Sequence, residues 1–192
     1  MRHYSRICVF SLLLVLAFST LARAEPPVQI NEIAWAGTRA SWADEWIELK
    51  NVGEETVDLH GWSVRWGDVL IPFIEEDNTL EVRNLELEPG EYMLLERSDD
   101  ETVPSVEADL IFTGSLSNSG EVIQLENSNG ELVDEIDASS GWPAGTGRDG
   151  DPPYGSMTKI DGKWKTSQSE GPHEDSDGFP ILGTPGEENR ET

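Results

Sequence analysis

Carboxylates dominate the chemistry available to this chain. Its 192 residues hold 38 Asp and Glu against 13 Lys and Arg, a formal net charge of -25. Three acids share an alternating register with apolar residues: Glu32 with Ile30 and Ala34, Glu48 with Trp46, and Asp134 with Leu132 and Ile136. A carboxylate turned toward a core is costly unless it accepts hydrogen bonds or meets a cation. Two chemistries use such groups: Ca²⁺ takes several oxygen ligands, and glycoside hydrolysis places two carboxylates about a scissile bond. The plainer reading is structural, with these acids bonded to loop amides or to Arg39, Lys50 or Arg65, or lying on an exposed sheet face. The structural reading is favoured, because a chain this acidic places acids on every strand.

Acid-rich loops offer a second cation option at Asp99-Asp-Glu101, Asp149-Gly-Asp151 and Glu174-Asp-Ser-Asp177-Gly178. None has the twelve-residue ligand spacing of an EF-hand, and runs of this kind are usually solvated. Beyond the first 24 residues only His60 and His173 remain, too few for a multi-histidine zinc site. No Gly-x-Ser-x-Gly elbow, phosphate-binding Gly-rich loop or His-Glu-x-x-His occurs. The sequence therefore assigns no catalytic residue, no metal ligand and no cofactor, and it predicts a protein that is not an enzyme.

Seven tryptophans suggest stacking platforms for sugars. Trp46, Trp62 and Trp66 read as core anchors, each worth about 2–3 kcal/mol when fully buried. Trp35 and Trp42 flank the loop Ala36-Gly-Thr-Arg-Ala-Ser41 and are the better candidates for exposure.

The elements that must position these residues are short strands. After Pro26-Pro27 the pattern has period two, broken by Gly, Asn and Asp clusters. It predicts strands over 28–35, 45–51, 57–60, 62–66, 69–73, 91–95, 109–112, 121–126 and 132–138, with a weaker pair over 156–160 and 164–166. Asn129-Gly130 and Asp161-Gly162 are hairpin signals, because both residues tolerate positive φ. Apolar parity switches between Val57-Leu59 and Trp62-Val64-Trp66, so a corner is expected at His60-Gly61. No window shows a helical period. The segment 139–153 reads as a surface loop pinned by Trp142, and beyond Thr166 only Phe179, Ile181 and Leu182 are available to hold the chain down. Many short strands at this spacing imply an all-β antiparallel sandwich or barrel.

Residues 1–24 read as an address. Arg2 and Arg6 precede an apolar run from Ile7 to Phe18, and Ala22-Arg23-Ala24 supplies the small-x-small pattern of a secretory signal peptide, with cleavage expected after Ala24. The apolar run is shorter than the ~20 residues that span a bilayer. The single cysteine, Cys8, falls inside it. The remaining 168 residues carry 10 bases against 38 acids and no cysteine. Such a body is one domain's length. It lacks the basic footprint of a nucleic-acid binder, and its aromatic content is too high for a solvating acidic tail.

One ordered set of motifs carries more information than any of these features alone. It begins with Ile30-Asn-Glu-Ile33, Asp44-Glu-Trp-Ile-Glu-Leu49 with Asn51, and Asp58-Leu-His-Gly-Trp62. It continues through Leu87-Glu-Pro-Gly-Glu-Tyr92, Ser115-Leu-Ser-Asn118 with Gly120, Leu125, Asn129-Gly130 and Val133-Asp134. It closes with Trp142-Pro143, Ser156-Met157, Trp164 and Thr184-Pro-Gly186 with Asn189. In this order the set resembles the lamin tail domain family, in its secreted, stand-alone bacterial form. The resemblance implies an immunoglobulin-like β-sandwich that serves as a non-catalytic interaction or structural module. It supplies no catalytic residue, and the binding residues stay unassigned.

The expected organisation is thus a signal peptide (1–24), a lamin-tail-like sandwich (25–166) and a polar C-terminal segment partly packed on it (167–192). The expected partner is a protein or an extracellular or envelope component, met in the periplasm, at the cell surface or in the medium. The alternative function is a Ca²⁺-assisted carbohydrate- or envelope-binding domain.

Overall fold

Period-two patterning becomes two facing sheets. The computed structural model describes residues 26–74, 85–168 and 170–190, so the signal segment, Cys8 and the cleavage after Ala24 lie outside the described residues. Among those described there are twelve strands: β1 (Val28–Ala34), β2 (Trp46–Asn51), β3 (Val57–Asp58), β4 (Ser63–Trp66), β5 (Val69–Pro72), β6 (Glu86–Leu87), β7 (Tyr92–Arg97), β8 (Leu110–Phe112), β9 (Val122–Glu126), β10 (Leu132–Asp137), β11 (Met157–Ile160) and β12 (Lys163–Thr166). They form a six-stranded sheet ordered β12-β11-β1-β2-β7-β8, a four-stranded sheet ordered β10-β9-β4-β5, and the ribbon β3-β6. All pairs are antiparallel but one: β8 runs parallel to β7. That single departure from an antiparallel sandwich arises because residues 98–109 cross over the sheet instead of turning back in a hairpin.

The interior lies between the sheets. Ile33, Ile47, Leu49, Met93, Leu95, Leu110 and Phe112 from the larger sheet meet Val64, Trp66, Ile123, Leu125 and Ile136 from the smaller one, all buried. Trp66 meets Phe112 edge-on, with centroids 5.4 Å apart, and its indole N–H donates to the Ser115 carbonyl at 3.1 Å. With no cysteine among residues 26–190, this packed interior and the ladders carry the stability.

Turn chemistry matches the residue types. Asp161 and Gly162 both have positive φ (49° and 70°) between β11 and β12, as a two-residue hairpin requires. Gly61 sits at φ 75°, where the chain switches parity between Leu59 and Trp62, both buried.

Two bulges revise the faces read from the sequence. In β1 the register slips between Ile30 and Glu32, so Asn31 is an extra residue. Ile30 and Ile33 therefore both point into the main core. Glu32 does not share a face with Ile30; it stands with Ala34 on the outer face. A second slip between Leu132 and Asp134 leaves Asp134 aligned with Ile136 and turns Leu132 out to solvent.

That outer face of the six-stranded sheet is not open. Trp46, Ala34 and Leu94 form a second apolar cluster there with Val103 from the crossover and Ile181 from the C-terminal segment. Trp46 is thus a core anchor as expected, but of a separate, smaller core. Residues 170–190 lie across this face as a strap, held less by Phe179 and Leu182 than by Ile181 and a set of polar contacts.

Candidate functional site

The buried acids were the first chemical candidates, and the fold engages all of them in structure. Glu32 and Glu48 are paired residues across β1 and β2, and both are fully buried. Glu32 accepts hydrogen bonds from the Ser156 hydroxyl at 2.5 Å, and from the Thr184 amide and hydroxyl at 3.1 Å each. Glu48 accepts from the Asn31 amide group at 2.6 Å and the Gly186 N–H at 2.5 Å. Asn189 closes the arrangement by donating to the carbonyls of Asn31 and Lys159, each at 3.1 Å. Burial pushes the Glu32 carboxyl up to about 7. Burial and the neighbouring Glu32 charge raise Glu48 well above the usual carboxylate range. Asp134, the third candidate, accepts from the Ile30 N–H at 2.9 Å and pairs with Lys159 at 3.1 Å. The partners are therefore hydroxyls, loop amides and Lys159. Arg65 instead meets Glu126 at 3.5 Å.

Three further buried acids anchor loops: Glu45 and Glu96, which the sequence does not single out, and Asp175 from the acid-rich run 174–178. Glu45 accepts from the Leu116 N–H at 2.8 Å and pairs with Arg97 at 3.3 Å; burial nevertheless raises it to about 7. Glu96 caps the Thr102 and Val103 amides, and burial together with the Asp100 charge raises it to about 8. Asp175 receives the amides of Ala40, Asp177 and Phe179. Each of these carboxylates accepts hydrogen bonds from fixed donors inside the protein.

The remaining candidates stay apart. His60 is exposed at its corner, and His173 bonds to the Ser105 hydroxyl at 2.7 Å. Asp99 and Asp100 cap the amides of Glu101 and Ala108, and Asp149, Asp151 and Asp177 are exposed. Among the described residues no group of three or more His, Cys, Asp or Glu is placed to hold a metal ion.

A different site emerges at one end of the sandwich. The β1–β2 loop, the β10–β11 loop and the strap enclose an open groove of 990 Å³, lined among others by Trp35, Arg39, Trp42, Arg148, Asp149 and Tyr154. Each side of it is built rigidly. Trp35 stacks on Trp142, with centroids 5.9 Å apart and planes 6° from parallel; their indoles donate to the carbonyls of Ala144 and Ser117. Gly145, at φ 80°, passes so close to the Trp35 indole nitrogen that a side chain there would collide with it. Gly37, at φ 79°, likewise leaves no room for a Cβ against the backbone of Ser41 and Trp42. Thr38 donates to Asp44 at 2.6 Å, and the Ala40 N–H donates to Asp175 at 3.0 Å, tying this loop to the strap.

On this frame Trp42 is 71 % exposed and Phe179 43 %. The Arg97 guanidinium lies 5.0 Å from the Trp42 ring centroid and that of Arg39 5.7 Å from Phe179, contacts that hold aromatic faces in place. Of the five arginines among the described residues, Arg65, Arg97 and Arg190 are ion-paired. Arg39 and Arg148 have no carboxylate partner among the described residues, and both line the groove. Sequence reasoning reached Trp35, Trp42 and their loop. It missed Arg148 and Tyr154, whose only signal was their place in a Gly/Pro/Asp-rich loop, and it read Phe179 as a pin.

Two sheets closed over an apolar interior define an immunoglobulin-like β-sandwich. A family model described as Lamin Tail Domain matches residues 22–140, and the chain belongs to the lamin tail domain family. Among solved structures, the archaellum periplasmic stator protein complex FlaF and FlaG from Sulfolobus acidocaldarius is similar at 20% identity, covering 65% of this chain and 98% of that chain with a TM-score of 0.36. That likeness is loose and bears on neither function nor partner. No curated protein matches the chain.

Proposed function

We propose that this protein is a non-catalytic interaction module that works outside the cytoplasm and recognises a protein or envelope component through the end-loop groove. Membership of the lamin tail domain family supports the non-catalytic half of this reading. The signal-peptide pattern of residues 1–24 supports the location. One observation carries the choice of surface: the two arginines without a carboxylate partner among the described residues and the two exposed aromatics, Trp42 and Phe179, converge on the same groove. Large aromatics and arginines are the residues that dominate binding energy at recognition surfaces, and loops fixed to a sandwich are their usual platform. The mature body, 25–192, comprises the sandwich and the strap in this reading.

The experiment is capture from culture supernatant and from an envelope fraction by the immobilised mature protein, beside its Trp42→Ala variant. A partner retained by the first and lost by the second supports the reading. Retention indifferent to Trp42, or turnover of a captured substrate abolished by one carboxylate substitution, overturns it.

A further inference from the structure

Resting on that reading of the groove, we infer that its occupant is an acidic polysaccharide chain, bound through uronate carboxylates at Arg39 and Arg148 and through a sugar face against Trp42. Charge favours such a ligand. With 38 acids against 13 bases, an arginine of this chain has carboxylates within easy reach, and Arg65, Arg97 and Arg190 each take one. Arg39 and Arg148 do not, although Asp149 adjoins the latter in sequence. A guanidinium is a planar fork of donors that matches a carboxylate in two parallel hydrogen bonds. Two unpaired forks lining one groove fit a ligand that supplies the missing carboxylates itself.

The shape and polarity of the groove suit a sugar chain. The Trp42 indole is exposed, and Arg97 lies over its ring. A flat, fixed aromatic of this kind takes the C–H face of a pyranose with little loss of freedom. The other lining groups, Ser41, Asn118, Asp149 and Tyr154, offer donors and acceptors to ring hydroxyls at the scale of a few sugar units, since 990 Å³ lies at the top of the range of small-molecule pockets. An extended peptide would instead look for a row of free backbone groups along a strand edge. This groove is walled by loops, and the loop amides that shape it are already bonded to Ser41, Asp175 and Gly155.

The groove also selects against other anions. The surrounding surface is acidic, and Asp149 stands inside the groove. A dense polyanion such as a nucleic acid is repelled there, whereas a chain with spaced carboxylates and many hydroxyls presents hydrogen-bonding partners to Asp149. Repulsion from the rest of the body is screened beyond about 8 Å at physiological ionic strength, so the contact pairs decide.

The test titrates the mature protein with oligogalacturonate of six units, following tryptophan fluorescence and calorimetric heat. Neutral cello-oligosaccharide of equal length and poly-glutamate serve as comparators. The expected result is saturable binding of the oligouronate at least about tenfold tighter than of either comparator, the scale of one charge-assisted contact. Trp42→Ala, Arg39→Gln and Arg148→Gln each weaken it by about tenfold or more. Lys163→Gln, which removes an exposed cation on the β11–β12 hairpin, leaves it unchanged. All four side chains are exposed, so folded variants are expected, and dichroism verifies them. No oligouronate binding at millimolar concentration overturns the inference, as does binding indifferent to Arg39 and Arg148, or poly-glutamate binding as tight as the uronate. If the uronate fails while Trp42-dependent capture of another partner persists, this inference falls and the groove reading stands; if both fail, both fall.

Discussion

Glu32 and Glu48 face one another across the central strands of the larger sheet, fully buried, and each is held by a different part of the same strap: Thr184 for the first, Gly186 for the second. Two carboxylates placed this way are unfavourable when both are ionised, because neither is hydrated and each repels the other. The chain tolerates them by surrounding them with donors and by raising their affinity for protons.

Stability should fall as pH rises through neutrality. Glu32 and Glu45 are raised to about 7 and Glu96 to about 8, so the folded state binds protons that the unfolded chain has already released. Groups shifted upward contribute stability that is present at low pH and lost as pH climbs through the folded values. Thermal melts between about pH 6 and 9 are expected to show a declining Tm. Overall acidic repulsion acts in the same direction but is screened by salt, so the melts belong at about 0.5 M salt. Glu48→Gln, which removes one of the two facing charges, should flatten the slope. A Tm that is level or rises over this interval contradicts the assignment.

Thr184 is expected to be the strap's main polar fastening. Thr184→Val deletes the hydroxyl shared between the Glu32 carboxylate at 3.1 Å and the Asn189 side-chain oxygen at 2.8 Å, a loss of about 1–3 kcal/mol. Thr184→Ser keeps the donor and should recover most of it. Urea melts of the two variants, read as midpoint shifts at constant slope, measure this.

Trp46→Ala should cost more than any other change on the outer face. The indole is 1% exposed and packs with Leu94, Val103 and Ile181; removing it leaves a cavity of the kind that costs about 3–5 kcal/mol. Equal stability of variant and parent would show that the strap does not seat there.

Gly145→Ala should disturb the groove from beneath. At φ 80° the backbone already disfavours a side chain, and the new methyl collides with the Trp35 indole. The expected cost is about 1–3 kcal/mol, accompanied by a shift in tryptophan emission as the Trp35–Trp142 stack moves. Gly130→Ala is the comparison: its φ of 74° is similarly strained, but open space surrounds it. It should cost less and leave the emission unchanged.

Alternation and turn chemistry made most of the architecture legible. Val28 to Thr166 alternates as strands do, and the parity break at His60-Gly61 located a corner that the backbone forms. What alternation could not show is an inserted residue. Asn31 carries no signal that distinguishes a bulge from a regular position, so Glu32 read as a neighbour of Ile30 on one face and proved to lie on the other. Likewise β6 is a two-residue strand, too short for any period, and the parallel β7–β8 pair depends on a crossover whose residues look like ordinary loop.

The candidate site was legible only where one loop could announce it. Trp35 and Trp42 bracket a Gly-containing segment and stood out on that ground. Arg39 and Arg148 are 109 positions apart, and an unpaired arginine cannot be recognised until every carboxylate near it has been placed. The strap was legible only in part for a related reason. Its hold comes from Thr184, Gly186 and Asn189 bonding to groups that sequence alone leaves scattered, more than from the apolar residues that a sequence reading weighs.

The lateral partners of β1 have an implication for biogenesis. A ribosome delivers the amino end first, yet β1 pairs with β11 and its bulge is closed by Asn189. Until residues 157–189 have emerged, β1 lacks its β11 neighbour and the closing Asn189, and Glu32 lacks its Thr184 donors. Distant pairing of this kind slows folding. Nascent chains stalled before residue 184 should thus remain open to proteolysis.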